Sequence, residues 1–305
     1  TNGMSLGGSA LNLAGSQTGT TAGDVSLSAS SGDINTRQAQ VSTPGKLNLT
    51  ANSQATQKLD NSEGQISAQK LQLNLRQIDN NNGSIEQTGV SNLVIDLQGG
   101  AIHNTSGSII ANAQNFTVNA GALTNTSGLV GHAGTGSLTL SAASLDNSQG
   151  PTMGNAAASI TTSGDITNAD GLISAAKDLS IQSADLSNTV SGTSQSATGI
   201  QSQTGNLSLN TAALTNSGSI YAAQDANTTA KSLNNSGSLY ADGNQALTVT
   251  NALSSSGTIA AAKDLNINAA SMTGTSTNVL AAGMAADGQL SGTGTLTAVT
   301  TGALQ

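Results

Sequence analysis

Few side chains in this sequence could perform acid–base chemistry, and their spacing does not bring them together. Among the 16 carboxylates, Asp60, Asp79 and Asp146 each follow a repeated aliphatic residue, and Asp178 and Asp264 follow a lysine in AAKDLSI and AAKDLNI. Polysaccharide cleavage needs two carboxylates, or a carboxylate and a base, that face one groove. We therefore predict no catalytic residues and interpret these acids as solvated turn charges.

Metal and nucleic-acid chemistry have equally little support. His103 and His132 lie in different copies of a repeat, and the chain has no cysteine. Zinc sites use three or four converging ligands, and calcium-binding β-rolls need closely repeated Gly and Asp nonapeptides. We predict no metal, no cofactor and exposed turn positions for both histidines. Eight basic residues against 16 acidic ones leave no basic patch, so we expect no nucleic-acid partner.

Asparagine is the polar residue with a regular spacing. It recurs two residues after an aliphatic residue, at the start of a glycine-containing turn where Asn tolerates left-handed backbone and bonds to local backbone. In stacked strands, identical amides can also bond along the stack. We predict a structural ladder, and a polar binding stripe is the alternative. The predicted ladder residues are Asn61, Asn80, Asn104, Asn125, Asn147, Asn168, Asn188, Asn216 and Asn235.

Two tyrosines occupy matched positions. Tyr221 and Tyr240 each lie three residues after a turn glycine, and alternation points both rings outward, one coil apart. Tyrosine is favoured at interfaces, and an exposed apolar patch can mark a contact site. The two tyrosines are therefore candidates for receptor contact. The alternative is that the stacked rings only stabilise the sheet.

A repeat of about 21 residues must position these side chains. Aliphatic anchors run from Leu59 to Met272, ten intervals over 272 − 59 = 213 residues, which lies within the range of solenoid repeats. Each copy adds two short alternating segments, such as GSIYA and LSL, that are typical of strands. Strands of successive copies can pair at a spacing of about 4.8 Å. We predict an all-β fold, a right-handed three-sided parallel β-helix of about 14 coils.

The composition agrees with a narrow core. Aromatic residues are 1% and charged residues 8% of the chain, so aliphatic and small side chains must fill the interior. Disorder is the alternative, but the low net charge and the regular aliphatic residues argue against it. The small residues expected to face inward, four positions after the turn glycine, are Ala68, Ala111, Ala175, Ala222, Ala241 and Ala261.

The chain divides into three stretches of one continuous solenoid. We expect irregular β-helix coils over residues 1–58, regular repeats over 59–271 and loosened terminal coils over 272–305. Neither end shows a polar or helical cap, so we expect a segment of a longer protein. The longest interval, from Leu186 to Leu214, should loop out from the stack. Such insertions are either harmless drift or binding loops.

The repeats LDNSEGQISAQKLQL, LTNTSGLV, LTNSGSIYA and LNNSGSLYA resemble the filamentous haemagglutinin repeats of bacterial two-partner secretion exoproteins, over about residues 59–270. The pattern departs at Leu253 and Met272, where the asparagine is missing. That family includes filamentous adhesins and the effectors of contact-dependent growth inhibition. The resemblance implies export, passage through an outer-membrane β-barrel transporter partner, and folding of a secreted or surface-anchored filament outside the cell.

The leading hypothesis is an extracellular stalk segment without enzymatic activity that projects an adhesive or toxin-delivery region towards another cell, with growth inhibition favoured over plain adhesion. The alternative is a receptor-binding module in which the loop at residues 192–206 and the tyrosines contact a target-cell receptor. A polysaccharide-degrading β-helix enzyme is third. The longest apolar runs are too short to span a bilayer, so we expect no stable membrane insertion of this segment.

Overall fold

A computed structural model describes residues 3–192, 198–290 and 293–304, and every regular element in them is a β-strand. The chain forms two compact units, Thr1–Ala156 and Ala157–Gln305. In each unit parallel strands stack coil on coil, and the two units together hold about 13 turns of β-solenoid, against the 14 predicted. The predicted all-β solenoid is confirmed. Part of the expected insertion, residues 193–197, lies outside the described residues.

The strands of the first unit are β1 (Met4–Gly8), β2 (Leu11–Asn12), β3 (Gln17–Gly19), β4 (Val25–Ala29), β5 (Ile34–Asn35), β6 (Gln40–Ala51), β7 (Leu59–Asp60), β8 (Gln65–Leu75), β9 (Ile78–Asp79), β10 (Ser84–Gln87), β11 (Leu93–Asp96), β12 (Ile102–His103), β13 (Ser108–Ala111), β14 (Phe116–Asn119), β15 (Ala122–Thr124), β16 (Leu129–His132), β17 (Leu138–Ala142), β18 (Ser144–Asp146) and β19 (Pro151–Gly154).

The strands of the second unit are β20 (Ala158–Thr162), β21 (Ile166–Ala169), β22 (Leu172–Ala175), β23 (Leu179–Gln182), β24 (Asp185–Thr189), β25 (Gly199–Ser202), β26 (Leu207–Asn216), β27 (Ser219–Ala222), β28 (Ala226–Asn235), β29 (Ser238–Ala241), β30 (Gln245–Ser255), β31 (Thr258–Ala261), β32 (Leu265–Gly274), β33 (Val279–Ala282) and β34 (Leu296–Thr300).

Each coil contributes a strand to three parallel stacks. The first stack holds the short strands that lead into the ladder asparagines, such as β9, β12 and β15. The second holds the strands after the turn glycine, such as β10, β13 and β16. The third holds the strands with the L-x-L pattern, such as β11, β14 and β17. In the second unit β26, β28, β30 and β32 each serve the third and first stacks in one continuous strand.

Inward side chains form columns along the stacks. In the third stack Phe116 lies between Leu93 and Leu138, and all three are essentially inaccessible to solvent. Burying each such side chain contributes roughly 1.5–3 kcal/mol. The six alanines expected to face inward are all buried as well. They line the corner where the chain leaves the second stack.

The turn glycines are required by a close approach between coils. In the first unit a Cβ built on Gly83, Gly107 or Gly128 would collide with the backbone carbonyl oxygen of the ladder asparagine one coil earlier. Their backbone angles are not left-handed. The residue just before each of these glycines takes that conformation instead, as at Ser106 with φ of 54°. Any larger residue at the glycine would therefore push two coils apart.

Candidate functional site

The ladder asparagines of the first unit are buried and bonded in series. Asn61, Asn80, Asn104 and Asn125 each donate from Nδ2 to the Oδ1 of the next member, over 2.7–2.9 Å. All are inaccessible to solvent, and so is Asn147, which accepts the last of these bonds.

Thr36 continues the series at its N-terminal side. Its hydroxyl donates to Oδ1 of Asn61 over 2.9 Å. A hydroxyl therefore occupies the slot that asparagine fills in the five following coils.

The second unit repeats the arrangement. Asn168, Asn188 and Asn216 donate to the next asparagine over 2.7–2.8 Å. Asn235 donates to the hydroxyl of Ser255 over 3.3 Å, in a coil where serine replaces asparagine. Within each unit, the predicted ladder residues are thus joined by amide–amide hydrogen bonds.

Each ladder amide also bonds to backbone. Nδ2 of Asn104, for example, donates to the carbonyl of Leu129 in the next coil over 3.0 Å. A buried amide without partners would cost several kcal/mol, so these bonds satisfy groups that the fold has removed from water.

The ladder asparagines do not use the left-handed backbone that asparagine tolerates. In the four-residue turns of the first unit that conformation falls two residues later, at Glu63, Asn82, Ser106 and Ser127. The reason is that the asparagine still belongs to the edge of the first-stack strand and must keep its backbone N–H on the neighbouring coil. Asn104 N, for instance, donates to Thr124 O over 2.8 Å.

A second polar ladder was missed by sequence reasoning. In the second unit, from β23 to β32, the Asp or Asn immediately before each strand of the third stack accepts, through Oδ1, the backbone N–H of the equivalent residue in the next coil. Asn206 N donates to Asp178 over 2.8 Å, and Asn244 N donates to Asp225 over 2.7 Å. The members are Asp178, Asn206, Asp225, Asn244 and Asp264. The recurrence of Asp or Asn just before the strand could have revealed it.

The acids interpreted as solvated turn charges are therefore only partly so. Asp178 and Asp264 are exposed but hold the next coil through backbone N–H groups. Asp60 and Asp146 are half-buried, and each accepts the backbone N–H and the hydroxyl of the serine two residues later. Short polar side chains commonly bond to backbone in this way at turns.

Asp79 forms an ion pair with Lys58 of the preceding coil, at 2.6 Å. Burial acts to raise the pKa of Asp79, but the hydrogen bond from Lys58, together with Gln77 and the nearby charges, outweighs it and lowers that pKa. The hydrogen bond to Asp79 raises the pKa of Lys58. Arg37 makes longer ion pairs with Asp60 and Glu63. This surface consists of paired charges that link successive coils.

The structure brings the two tyrosines together but leaves only one accessible. The rings of Tyr221 and Tyr240 stack with centroids 6.2 Å apart and planes 13° from parallel. Tyr221 is half-buried, and its hydroxyl donates to Asp242 over 2.5 Å. Tyr240 is only 9% exposed.

A short hairpin explains the burial of Tyr240. The tyrosine hydroxyl donates to the carbonyl of Met284, and an antiparallel bridge from Met284 to Leu290 closes the hairpin. Alternation along the strand could not reveal a cover made by residues more than forty positions away. The surface offered by the pair is therefore mainly that of Tyr221.

The pKa values of the two tyrosines are both raised, but for different main reasons. The hydrogen bond to Asp242 raises the pKa of Tyr221 to about 12, with a smaller effect of burial. Burial, followed by the charge of Asp242, raises the pKa of Tyr240 to about 12. Both phenols stay protonated throughout the physiological range.

The histidines do not meet, and the expectation of two exposed turn positions was wrong for His132. His132 ends β16 and is 3% exposed, with Nε2 2.9 Å from the carbonyl oxygen of Ala113. It lies in the inward column between Ala111 and Gly154, and the absence of a side chain at Gly154 leaves room for the ring. His103 is half-buried in β12, in register with Asp79.

The described residues contain no group of three or more His, Cys, Asp or Glu side chains placed to hold a metal ion. Over the same ranges there is no helix of the length and hydrophobicity that crossing a membrane requires.

Stacked coils joined by polar ladders define this chain as a repeat protein of the parallel β-solenoid class. A stretch of 122 residues is 37% identical to a Yersinia pestis protein named Toxin CdiA. The match covers 40% of this chain and only 4% of that relative's length. No family model and no solved structure matches the chain. The sequence match and the solenoid together fit a filamentous-haemagglutinin-type repeat region of a two-partner secretion exoprotein, which confirms the resemblance found in the sequence.

Proposed function

We propose that this chain is a stalk segment of a large bacterial surface exoprotein that projects an adhesive or toxin-bearing region towards another cell. The observation that carries the proposal is that the polar side chains of this segment are used to bind neighbouring coils. The ladder amides, the Asp and Asn corners and the Lys58–Asp79 pair all bond one coil to the next. Side chains used in this way build a shaft, because each repeat is stabilised mainly by its neighbours.

The comparison with Toxin CdiA supports contact-dependent growth inhibition over plain adhesion, and we propose the former. Two-partner secretion would then place the segment outside the cell after passage through an outer-membrane transporter, with a receptor on the target cell as its distant partner. A growth competition tests this: cells displaying the full exoprotein should inhibit neighbouring cells that lack immunity. Attachment without any loss of neighbours would favour an adhesin.

The stalk proposal predicts that the exoprotein tolerates deletion of a whole coil but not deletion of half a coil. Leu123 and Leu145 are in register one coil apart, so deleting residues 123–144 removes one coil and rejoins equivalent positions. Deleting residues 123–133 removes about half a coil and breaks the register of all three stacks. We expect the first variant of the full exoprotein to be displayed and active, and the second to be lost or inactive. Loss of activity in a well-displayed whole-coil deletion would contradict a passive stalk.

A receptor-binding role is the second candidate, and the accessible ring of Tyr221 favours it. The loop predicted at residues 192–206 was wrong over Gly199–Ser202, which form β25 within the second stack. Residues 193–197 lie outside the described ranges, so the hypothesis depends on Tyr221. Tyr221→Ser should reduce cell attachment if the ring contacts a receptor, whereas Thr229→Ser on the neighbouring strand serves as a matched control. Unchanged attachment of both variants would contradict a receptor contact at Tyr221 and favour the stalk role.

An enzymatic role has the least support. The carboxylates described above accept backbone N–H groups or pair with lysine, so at least one oxygen of each serves the fold. We propose that the segment carries no catalytic activity. Release of reducing ends from a panel of bacterial polysaccharides by the purified chain would contradict this.

A further inference from the structure

A cleft interrupts the third stack of the first unit between β8 and β11. These strands are matched at a single residue pair, Leu73 and Ile95. The next pair along the stack, β11 and β14, is matched over four residues. The opening has a volume of about 380 Å³.

A buried glutamine holds the cleft open. Gln87 occupies the inward column where Ala68 and Ala111 stand in the adjacent coils, and it is inaccessible to solvent. Its Oε1 accepts the backbone N–H of Leu71 over 2.9 Å. In a regular coil that N–H pairs with the next coil, as Leu93 N does with the carbonyl of Asn115.

The amide of the same glutamine secures the extra residues of this long coil. Nε2 of Gln87 donates to the carbonyls of Gly89 and Ser91. One fully buried side chain therefore takes over a backbone N–H of β8 at the place where β8 and β11 are not paired.

Outward side chains give the cleft a polar lining. Gln72 and Asn74 project from β8, and Asp96 and Gln98 come from β11 and the turn after it. Amides offer a donor and an acceptor in one plane, and a carboxylate offers two acceptor oxygens. Val94 is 51% exposed among them and supplies an apolar surface.

We propose that this cleft binds a neutral oligosaccharide, a role that goes beyond the stalk function. Sugar hydroxyls both donate and accept, which matches the amides and the carboxylate, and the C–H face of a pyranose ring matches Val94. Of the lining residues, Lys70 and Asp96 are the charged ones, so the cleft has no excess of either sign for a polyanion. One carboxylate is sufficient for binding but not for hydrolysis, which uses a pair.

A peptide strand fits the same cleft less well. Adding a strand to a sheet edge requires free backbone N–H and C=O groups. Here the N–H of Leu71 already bonds to Gln87. The lining is also more polar than the apolar pockets that hold most drug-like ligands.

Calorimetric titration of the full 305-residue chain tests the proposal with three probes: cellohexaose, maltohexaose and chitohexaose. We expect at least one of them to bind. The double variant Gln72→Ala/Asn74→Ala should weaken that binding by about tenfold, which corresponds to 1.4 kcal/mol. Asp96→Ala should weaken it as well, independently of the first pair.

The matched control is Thr117→Ala/Asn119→Ala. These residues are in register with Val94 and Asp96 one coil further on, outside the cleft. Their replacement should change the binding constant by less than twofold, and circular dichroism should show the same β-signal for all variants. The proposal is overturned if no probe binds at about 10 mM, a concentration well above the Kd of a site with several hydrogen bonds. It is equally overturned if the cleft and control variants bind alike, or if an extended octapeptide of alternating Thr and Val binds tighter than every glycan.

Discussion

Replacing Asn104 by alanine should destabilise the first unit far more than removal of an ordinary asparagine. The side chain is inaccessible to solvent. It receives a hydrogen bond from Asn80 and donates to Asn125 Oδ1 and to Leu129 O, over 2.8–3.0 Å. The substitution therefore removes three hydrogen bonds at once.

The expected loss of stability depends on which of the three partners of Asn104 keep other hydrogen bonds. Nδ2 of Asn80 still has the carbonyls of Gly83 and Ser108, so it loses little. Oδ1 of Asn125 loses a side-chain donor in a buried place, and the carbonyl of Leu129 loses one in a half-buried place. A buried polar group left without a partner costs about 1–3 kcal/mol. We therefore expect the free energy of unfolding to fall by about 2–5 kcal/mol, at the upper end for a single substitution.

Asn112→Ala is the matched control. This asparagine is exposed, and its Nδ2 donates to the carbonyl of Thr88 over 2.9 Å, so water can replace the lost bond. We expect a change of about 0.5 kcal/mol or less. Urea unfolding followed by circular dichroism measures both values.

Amide hydrogen exchange locates the loss of stability. Because each coil contacts mainly its neighbours, exchange should accelerate from β9 to β16 in the Asn104 variant. Equal stability of the Asn104→Ala and Asn112→Ala variants would refute the claim that the ladder is a principal source of stability.

Three further predictions concern other contacts. Gly107→Ala should cost several kcal/mol because its Cβ meets a carbonyl of the preceding coil, whereas Gly192→Ala, which has open space, should be neutral by urea unfolding. Absorbance titration of the two tyrosines should show midpoints near 12, and Asp242→Asn should lower mainly the midpoint of Tyr221, whose hydroxyl donates to Asp242; midpoints near 10 in the unmodified chain would contradict the hydrogen bond to Asp242 and the burial of Tyr240. Lys58→Met should cost about 1 kcal/mol at neutral pH. The pKa of Asp79 is lowered in the fold, so this contribution is lost as pH falls below about 3.9, and thermal unfolding of variant and parent should converge near pH 2.

The regular part of the fold was readable from the sequence because it depends on local pattern. Alternation, the period and the turn glycine predicted the three stacks, and small side chains at one slot predicted the buried alanines. His132 shows the limit: the alanine column admits a large ring only because the next coil has Gly154 there, a relation between residues 22 positions apart. Tyr240 shows a second limit, because the hairpin at Met284 that covers its ring is not part of the repeated pattern.

The cleft at Gln87 illustrates a third kind of limit. A glutamine among other polar residues does not stand out in the sequence. Gln87 bonds to backbone groups because its amide lies in the inward column, where it has no water to bind. The extra length of that copy was visible, but not the side chain that would take over a backbone N–H. Departures from a repeat are where sequence reasoning gave least, and they hold the surface features discussed above.

The asparagine series has a direction. In both units each amide–amide bond runs from the Nδ2 of one asparagine to the Oδ1 of the asparagine in the following coil, so the amide dipoles add head to tail along each series. Aligned bonds of this kind polarise and strengthen one another. Each series also continues into a hydroxyl, a group that can both donate and accept a hydrogen bond: Thr36 donates to Asn61 in the first unit, and Ser255 accepts from Asn235 in the second.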